Sequence, residues 1–155
     1  MRGCFSAQGR GNNFTNIEKC LFLNIMKEYV SNKCQNKNNP YRMTRNDWQV
    51  LHHRFTQTVT TYIGDLGNAR SLKNLSIFWK NTKSRLNAYL NQCFEQFLTV
   101  NPKIDPKDND KFYDYCVERC ENTNDRLKFL TLTNFPHIFN NYWFGIKFNK
   151  KHTRP

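Results

Sequence analysis

Residues 70–85 read RSLKNLSIFWKNTKSR, a stretch that combines large apolar side chains with an uncompensated positive charge. It contains five basic residues and no acidic one. Its apolar residues recur at spacings of three and four, as on one side of a helix: Leu72, Leu75, Phe78 and Trp79. The stretch therefore predicts an amphipathic helix that begins near Ser71, rests its apolar side on neighbouring helices and leaves a basic face outward.

Two further amphipathic helices precede this stretch. Thr15 and Glu18 have the spacing of a capping box, in which each side chain bonds the backbone N–H of the other, and a helix is predicted to follow over residues 16–33. Thr44 repeats the signal ahead of a helix predicted over residues 45–57. The β-branched run that comes next either extends this second helix or is irregular.

The chain beyond the basic stretch is rich in aromatic residues. Apolar patterning continues past residue 85, so the third helix is either long or broken. Residues 101–110 carry two prolines and several charges, as is typical of a linker, and residues 111–132 predict one more helix. The aromatic residues near the end either pack back on that helix or the first one, or form a partner surface: Phe135, Phe139, Tyr142, Trp143, Phe144 and Phe148.

Together these elements predict an all-α protein, with a three-helix domain of helix-turn-helix type and a helical C-terminal extension. Four segments are expected in order: a disordered N-terminal arm over 1–13, the three-helix domain over 14–98, a linker over 99–110 and the aromatic extension over 111–155. The expected structural core of the domain is Phe14, Trp48, Leu51, Phe55, Leu75 and Trp79.

The net charge of the chain is strongly positive. It has 24 basic and 12 acidic residues, a net of +12, with a pI near 9.6. Such a surplus points to a polyanion, either nucleic acid or an anionic membrane surface, although a basic protein with no specific anion also fits. Residues 1–98 carry 14 basic and 5 acidic residues, so the anion-facing part is expected there. No apolar run approaches the length of a membrane span.

Six cysteines are spread unevenly, without a Cys-x-x-Cys pair: Cys4, Cys20, Cys34, Cys93, Cys116 and Cys120. The first residues show no apolar segment of a signal peptide. Reduced thiols in an intracellular protein are therefore favoured over the disulfides of a secreted one. A zinc site would need further ligands, and the adjacent His52 and His53 do not have the paired spacing that supplies them.

No motif predicts catalysis. Ser, His and Asp form no recognisable nucleophile setting. Asp105, Asp108 and Asp110 are close together but lack the Gly and the terminal Glu of a calcium loop. The chain is therefore predicted not to be an enzyme and to need no cofactor or metal.

The outer face of the third predicted helix is the candidate nucleic-acid site. A helix fits the major groove of duplex DNA, where cationic and amide side chains read base edges. The residues expected on this face are Lys73, Asn74, Ser76, Ile77, Lys80 and Lys83. Arg70 and Arg85 stand at its two ends, where phosphate contacts would add affinity without sequence information. A solvated basic face that binds nothing is the alternative.

Residues 13–88 resemble the Myb/SANT family, and most of all its zeste-type members. The resemblance rests on an aromatic–Thr–Glu opening, a Trp–aliphatic–aromatic middle helix and an Arg-Ser third helix: Phe14, Thr15 and Glu18; Trp48, Leu51 and Phe55; Arg70, Ser71, Asn74, Leu75, Trp79, Asn81 and Lys83. Asn74 stands where the family usually has Gln, and the connection over residues 58–69 is longer than is typical. The MADF domain, a related three-helix module, is the nearest competitor.

The resemblance implies sequence-specific binding of double-stranded DNA through the third helix, by a nuclear transcription regulator or a transposon-derived factor. The alternative is a protein-interaction module of the same fold, with its basic face toward an acidic partner in chromatin. Residues 111–148 are the expected place for self-association or for a protein partner.

Overall fold

The computed structural model describes residues 14–34, 42–64 and 70–146, the side chain of Cys34 excepted. Every regular element in these ranges is helical, which confirms the predicted all-α class. The described part consists of a 3₁₀ turn at Pro106–Asp108 and six α-helices: α1 Asn16–Cys34, α2 Arg45–Tyr62, α3 Leu72–Val100, α4 Asn109–Asn122, α5 Arg126–Asn134 and α6 Pro136–Gly145. The predicted disordered arm over 1–13 lies outside the described residues.

Helices α1 and α2 begin where their capping boxes predict. Thr15 Oγ1 accepts from the Glu18 N–H (3.2 Å), and Glu18 Oε1 accepts from the Thr15 N–H (2.9 Å). Thr44 and Asp47 form the same reciprocal pair ahead of α2. The β-branched run extends α2 to Tyr62, and two threonine hydroxyls in it bond carbonyls one turn earlier. Helix α3 is long and unbroken, with 29 residues.

The prediction of a single helix over residues 111–132 is wrong, because the chain turns after Asn122 and forms two helices. Asn124 adopts a left-handed conformation (φ 56°) that interrupts a right-handed helix, and asparagine tolerates this conformation better than most residues. Asp125 then caps α5 by accepting from the Lys128 N–H (3.2 Å). Apolar residues lie on both sides of the turn, so their spacing alone did not reveal it.

The chain divides into two compact units, Met1–Phe78 and Trp79–Pro155, which is a different division from the predicted domain over 14–98. Helix α3 begins in the first unit and continues into the second. The segment predicted as a linker contains the 3₁₀ turn, and its Ile104 side chain is fully buried. This segment is therefore a packed connection rather than an extended spacer.

The first unit has a core to which α1, α2 and α3 each contribute a phenylalanine. The Phe22 ring meets the Phe55 ring edge-on at 6.1 Å between centroids and the Phe78 ring at 5.4 Å. Phe14, which precedes α1, stacks on Phe78 at 4.7 Å. Such ring pairs add about 0.5–1.5 kcal/mol each beyond the burial of their area. Buried aliphatic residues complete this core: Leu23, Met26, Val30, Leu51 and Leu75.

The second unit has Phe112 of α4 at the centre of its core. The Phe112 ring lies 5.3 Å from the Trp143 ring, 5.4 Å from Phe97 and 5.7 Å from Phe139, measured between centroids. Trp143 Nε1 donates to the Pro106 carbonyl (2.9 Å), so the buried indole N–H has a partner.

The aromatic residues of the C-terminal part pack back on α4 and α3, although Phe144 does not. Phe135 and Phe139 are buried, and Phe139 meets the Tyr113 ring of α4 at 5.0 Å between centroids. Phe144 is 72% exposed. Phe148 lies outside the described residues. Of the two roles that the sequence left open for these residues, packing against the helix is the one that the buried members show.

Candidate nucleic-acid interface

Helix α3 presents an exposed face that has no acidic residue before Glu95. The sequence has no Asp or Glu between Asp65 and Glu95, so most of α3 carries no negative side chain. The exposed positions recur at helical spacing and therefore lie on one side of the helix. In its N-terminal half these positions are Lys73, Asn74, Ile77, Lys80, Asn81, Ser84 and Arg85.

The start of α3 is held by a side-chain cap. Ser71 Oγ accepts from the Asn74 N–H (3.0 Å), and Asn74 Oδ1 accepts from the Ser71 N–H (3.1 Å). His52 Nε2 of α2 donates to the Arg70 carbonyl (2.7 Å), just before the cap. Asn74, which was predicted as a DNA contact, therefore has a structural role at the beginning of the helix.

The sequence predicted that Arg70 faces outward, but the structure places it inside the first unit. Its side chain is buried, and its guanidinium donates twice to the Glu18 carboxylate, from Nη2 to Oε1 at 2.7 Å and from Nε to Oε2 at 2.8 Å. The guanidinium carbon also lies 4.6 Å from the centroid of the Phe14 ring. The prediction that Arg70 contacts phosphate is therefore wrong, because its guanidinium is buried against these two side chains.

The electrostatics of Glu18 agree with this pair. Burial alone would raise the pKa of Glu18, but hydrogen bonds from Arg70 and from the Thr15 N–H outweigh burial, and the pKa is lowered. Glu18 therefore stays ionised at neutral pH and keeps the Arg70 side chain inside the first unit.

Lys83 and Ser76 are half-buried rather than fully outward. Lys83 Nζ lies 5.6 Å from the centroid of the Trp79 ring, and burial lowers the pKa of its ammonium group. Ser76 Oγ donates to the Lys73 carbonyl of its own helix (3.0 Å). The prediction that both side chains face outward is therefore wrong. Lys83 lies against the Trp79 ring, and Ser76 bonds the backbone of its own helix.

The cations that do face solvent flank an exposed apolar side chain. Lys73, Lys80 and Arg85 are exposed, and Ile77, which lies between the two lysines along the helix, is 44% exposed. In the major groove, cations meet phosphates or guanine edges, while apolar side chains meet the thymine methyl group. The face can therefore attract a duplex by charge and distinguish bases through Ile77 and its neighbour Asn81.

The predicted core residues fall into two groups. Trp48 is only half-buried and lies parallel to Phe22 at 6.4 Å, while Phe78 supplies the aromatic ring of α3 to the first unit. Trp79 is buried but packs on Phe135 in the second unit, with ring centroids 4.8 Å apart. The other helix residues predicted for the core are essentially fully buried: Leu51, Phe55 and Leu75.

A groove of about 490 Å³ in the second unit was not predicted. Asn87 and Asn91 lie one helical turn apart on α3, which is a signal that the sequence does contain. Tyr142, which donates to Asn91, lies 51 residues further along the chain, and no local pattern connects the two. The groove is lined by Asn87, Asn91, Asn141, Tyr142, Gly145 and Ile146.

Three of the described cysteines, Cys93, Cys116 and Cys120, form a buried thiol cluster in the second unit. Cys20, Cys93, Cys116 and Cys120 are free, and all but Cys20 are buried. Tyr89 Oη donates to the Cys116 carbonyl (2.8 Å) and accepts from Cys120 Sγ (3.3 Å). No group of His, Cys, Asp or Glu in the described part of the chain could hold a metal ion. Nor does any described helix have the length and apolar character needed to cross a membrane.

Comparison with known proteins gives no match for this chain. No family model matches it. No curated protein and no solved structure matches it either. The resemblance to the Myb/SANT family therefore stays a prediction that rests on the residues that carry it.

Proposed function

We propose that this protein binds double-stranded DNA sequence-specifically through the exposed face of α3, as a nuclear transcription regulator or a transposon-derived DNA-binding factor. The observation that carries the proposal is a row of exposed cations on a helix that has no carboxylate before Glu95. Lys73 and Lys80 supply charge for phosphates, and Ile77 and Asn81 are the groups that distinguish bases.

The charge arrangement favours a face that binds a polyanion over a solvated face that binds nothing. On ordinary helix surfaces, carboxylates three or four residues from a cation lower the electrostatic free energy. The exposed lysines of α3 have none at those spacings on their helix, so they attract an external anion. Duplex DNA offers regularly spaced phosphates beside a groove that accepts a helix.

The Myb/SANT-like pattern of residues 13–88 supports the same proposal. In that family the third helix of the domain lies in the major groove. If the resemblance holds, α3 corresponds to that helix, and its Asn81 is exposed.

Selection of the purified full chain against a random duplex library tests the proposal. We expect an enriched motif, with an affinity that falls steeply with salt because each displaced phosphate counterion adds about 0.9 to the log–log slope. Weak binding with no enriched motif would contradict sequence specificity. Tighter binding of an acidic peptide through the same lysines would favour the interaction module with an acidic partner.

Variants of the face separate charge from base reading. Lys73→Ala combined with Lys80→Ala should weaken binding and make the salt slope shallower by roughly two, without changing the thermal midpoint. Ile77→Ala should relax the selected motif and leave the salt slope unchanged. Lys111→Ala, an exposed lysine of α4, is the matched control and should bind as the wild type does. Wild-type affinity in the double lysine variant would show that α3 is not the reading helix.

A further inference from the structure

The groove of the second unit has a neutral, amide-rich lining. Asn87 and Asn91 come from α3, and Asn141 and Tyr142 come from α6. None of the described residues that line it is charged, and its volume of about 490 Å³ lies within the range of small-ligand sites. A phosphate or a carboxylate would find no cation among these residues. The lining therefore suits an uncharged ligand with several hydrogen-bonding groups.

Two of the lining side chains are already oriented. Tyr142 Oη donates to Asn91 Oδ1 (2.7 Å), which leaves the two N–H donors of the Asn91 amide for a ligand. Burial raises the pKa of Tyr142 to about 12, so its hydroxyl remains a donor at neutral pH. The Tyr142 ring stacks on Phe112 at 6.4 Å between centroids, which supports it from the core side. A ligand therefore meets a prepared surface at low entropic cost.

The chemistry of this lining matches a nucleobase. A carboxamide offers an acceptor and donors side by side, which is the complement of the N6/N7 edge of adenine. The flat faces of an unpaired base pack on aromatic and apolar side chains, here Tyr142 and Ile146. A sugar would use the carboxamides as well but has no flat aromatic face.

The charge of the chain favours a nucleic acid as the source of that base. The chain has 24 basic and 12 acidic residues, a net of +12. A chain with this surplus attracts a strand of phosphates, and a neutral groove can then take one of its bases.

We propose that the groove lined by Asn87, Asn91, Asn141 and Tyr142 binds an unpaired adenine base of a single-stranded nucleic acid. The groove lies on the same side of α3 as the exposed lysines, with Asn87 roughly 10 Å beyond Lys80 along the helix axis. The lysine variants change no residue that lines the groove, so adenosine binding should remain when they lose duplex binding.

Titration of the ¹⁵N-labelled full chain with adenosine, followed by NMR, tests the proposal. Adenosine carries no charge, so general attraction to a basic protein does not contribute. Millimolar adenosine should shift the side-chain amide signals of Asn87, Asn91 and Asn141 saturably, with little dependence on salt, and glucose should not. An absence of saturable shifts, or equal shifts with glucose, would overturn the proposal.

Variants identify the groove as the site. Asn91→Ala and Asn141→Ala should each weaken adenosine binding about fivefold to tenfold, as expected for the loss of one or two hydrogen bonds. Asn140→Ala, an exposed asparagine of α6 that does not line the groove, is the matched control. A Cβ at Gly145 meets nothing within 4 Å, so Gly145→Tyr can block the groove without straining the helix. Wild-type affinity in all three groove variants would overturn the proposal.

A second comparison uses strands. An adenine oligonucleotide should bind more tightly than an abasic strand of the same length, and Asn91→Ala should abolish the difference. Equal affinity for the two strands would mean that charge alone holds them and that the groove reads no base.

Discussion

The buried pair of Arg70 and Glu18 joins the start of α3 to the start of α1 across 52 residues of sequence. The two side chains are each 5% exposed, so both have lost their water and each depends on the other. Removal of one partner leaves an uncompensated buried charge, whereas replacement of both by apolar residues is far less costly. The pair therefore specifies how these two helix ends meet.

Arg70→Met is expected to lower the free energy of unfolding by about 3–5 kcal/mol, because it leaves Glu18 ionised and buried. The double variant Glu18→Leu/Arg70→Met should recover most of this loss. Urea unfolding measures both effects. Arg85→Met changes an exposed arginine of the same helix and is the matched control, with an expected change within about 0.5 kcal/mol. Equal stability of Arg70→Met and Arg85→Met would contradict a structural role for the pair.

Residue roles could be predicted from the sequence where they are local. The Thr15–Glu18 capping box was predicted correctly because its two members are three residues apart. Lys73 and Lys80 were placed outward correctly because helical spacing alone decides their side of the helix. Arg70 was misassigned, since its partner is distant in sequence and the sign of its charge was the only guide.

Helix α3 contributes adjacent residues to the cores of both compact units. Phe78 packs on Phe14 and Phe22 in the first unit, and Trp79 packs on Phe135 in the second. Successive positions on an α-helix point about 100° apart, so neighbouring side chains can enter different cores. The sequence pattern counted both rings as one stripe, which is why Trp79 was predicted in the core of the three-helix domain.

Phe78→Ala and Trp79→Ala are expected to destabilise different parts of the chain. Each change removes a buried ring and should cost about 3–5 kcal/mol. Amide hydrogen exchange should show lost protection in α1 and α2 for Phe78→Ala, and in α4, α5 and α6 for Trp79→Ala. Ile77→Ala removes a partly exposed side chain of the same helix and should leave exchange nearly unchanged. An identical pattern from Phe78→Ala and Trp79→Ala would mean that the two units unfold together.

Helix boundaries could be predicted where a cap marks them. The starts of α1 and α2 follow from Thr15 and Thr44, and both lie where the sequence placed them. The end of α2 is marked by Gly64, whose left-handed conformation (φ 88°) lets its N–H bond the Val59 carbonyl (3.0 Å). The threonines before it are weak helix formers, so the sequence left open whether the helix extends that far. The sequence analysis did not predict the turn at Asn124. This left-handed residue separates α4 from α5, but the apolar residues on its two sides keep helical spacing.

At the scale of the whole molecule, the fold class and the candidate polyanion site follow from summed properties. Helical periodicity recurs over most of the chain, and a net charge of +12 requires no knowledge of contacts. The groove of the second unit is different, because its asparagines come from α3 and α6, which only tertiary packing brings together. Sequence reasoning could therefore predict a candidate surface that lies on one helix, and it could not predict a groove that two helices form.

Mild acid is expected to destabilise the protein through His137. Burial, and secondarily the charge of Lys83, lowers the pKa of His137 from 6.5 to about 3. The unfolded chain therefore binds this proton more readily than the folded one. The contribution of neutral His137 to stability is complete above about pH 6.5 and is lost progressively as the pH falls toward 3.

Stronger acid removes a second contribution, from two buried carboxylates. Burial would raise the pKa values of Glu18 and Asp47, but hydrogen bonds, from Arg70 and from Lys33 respectively, lower both. A lowered folded pKa means that these groups stabilise the fold above their ordinary values of 4.5 and 3.8, and that this stability is lost below them.

Thermal melting across pH separates the two steps. The midpoint should be level near neutral pH, decline below about pH 6.5 and fall more steeply below pH 4.5. His137→Phe should remove the first decline and leave the second, because the carboxylates are unchanged. His53→Phe, which changes an exposed histidine, should leave both declines of the midpoint unchanged. If the wild type keeps a constant midpoint down to pH 4.5, burial of neutral His137 does not contribute to stability, and the acid sensitivity of the fold belongs to its carboxylates alone.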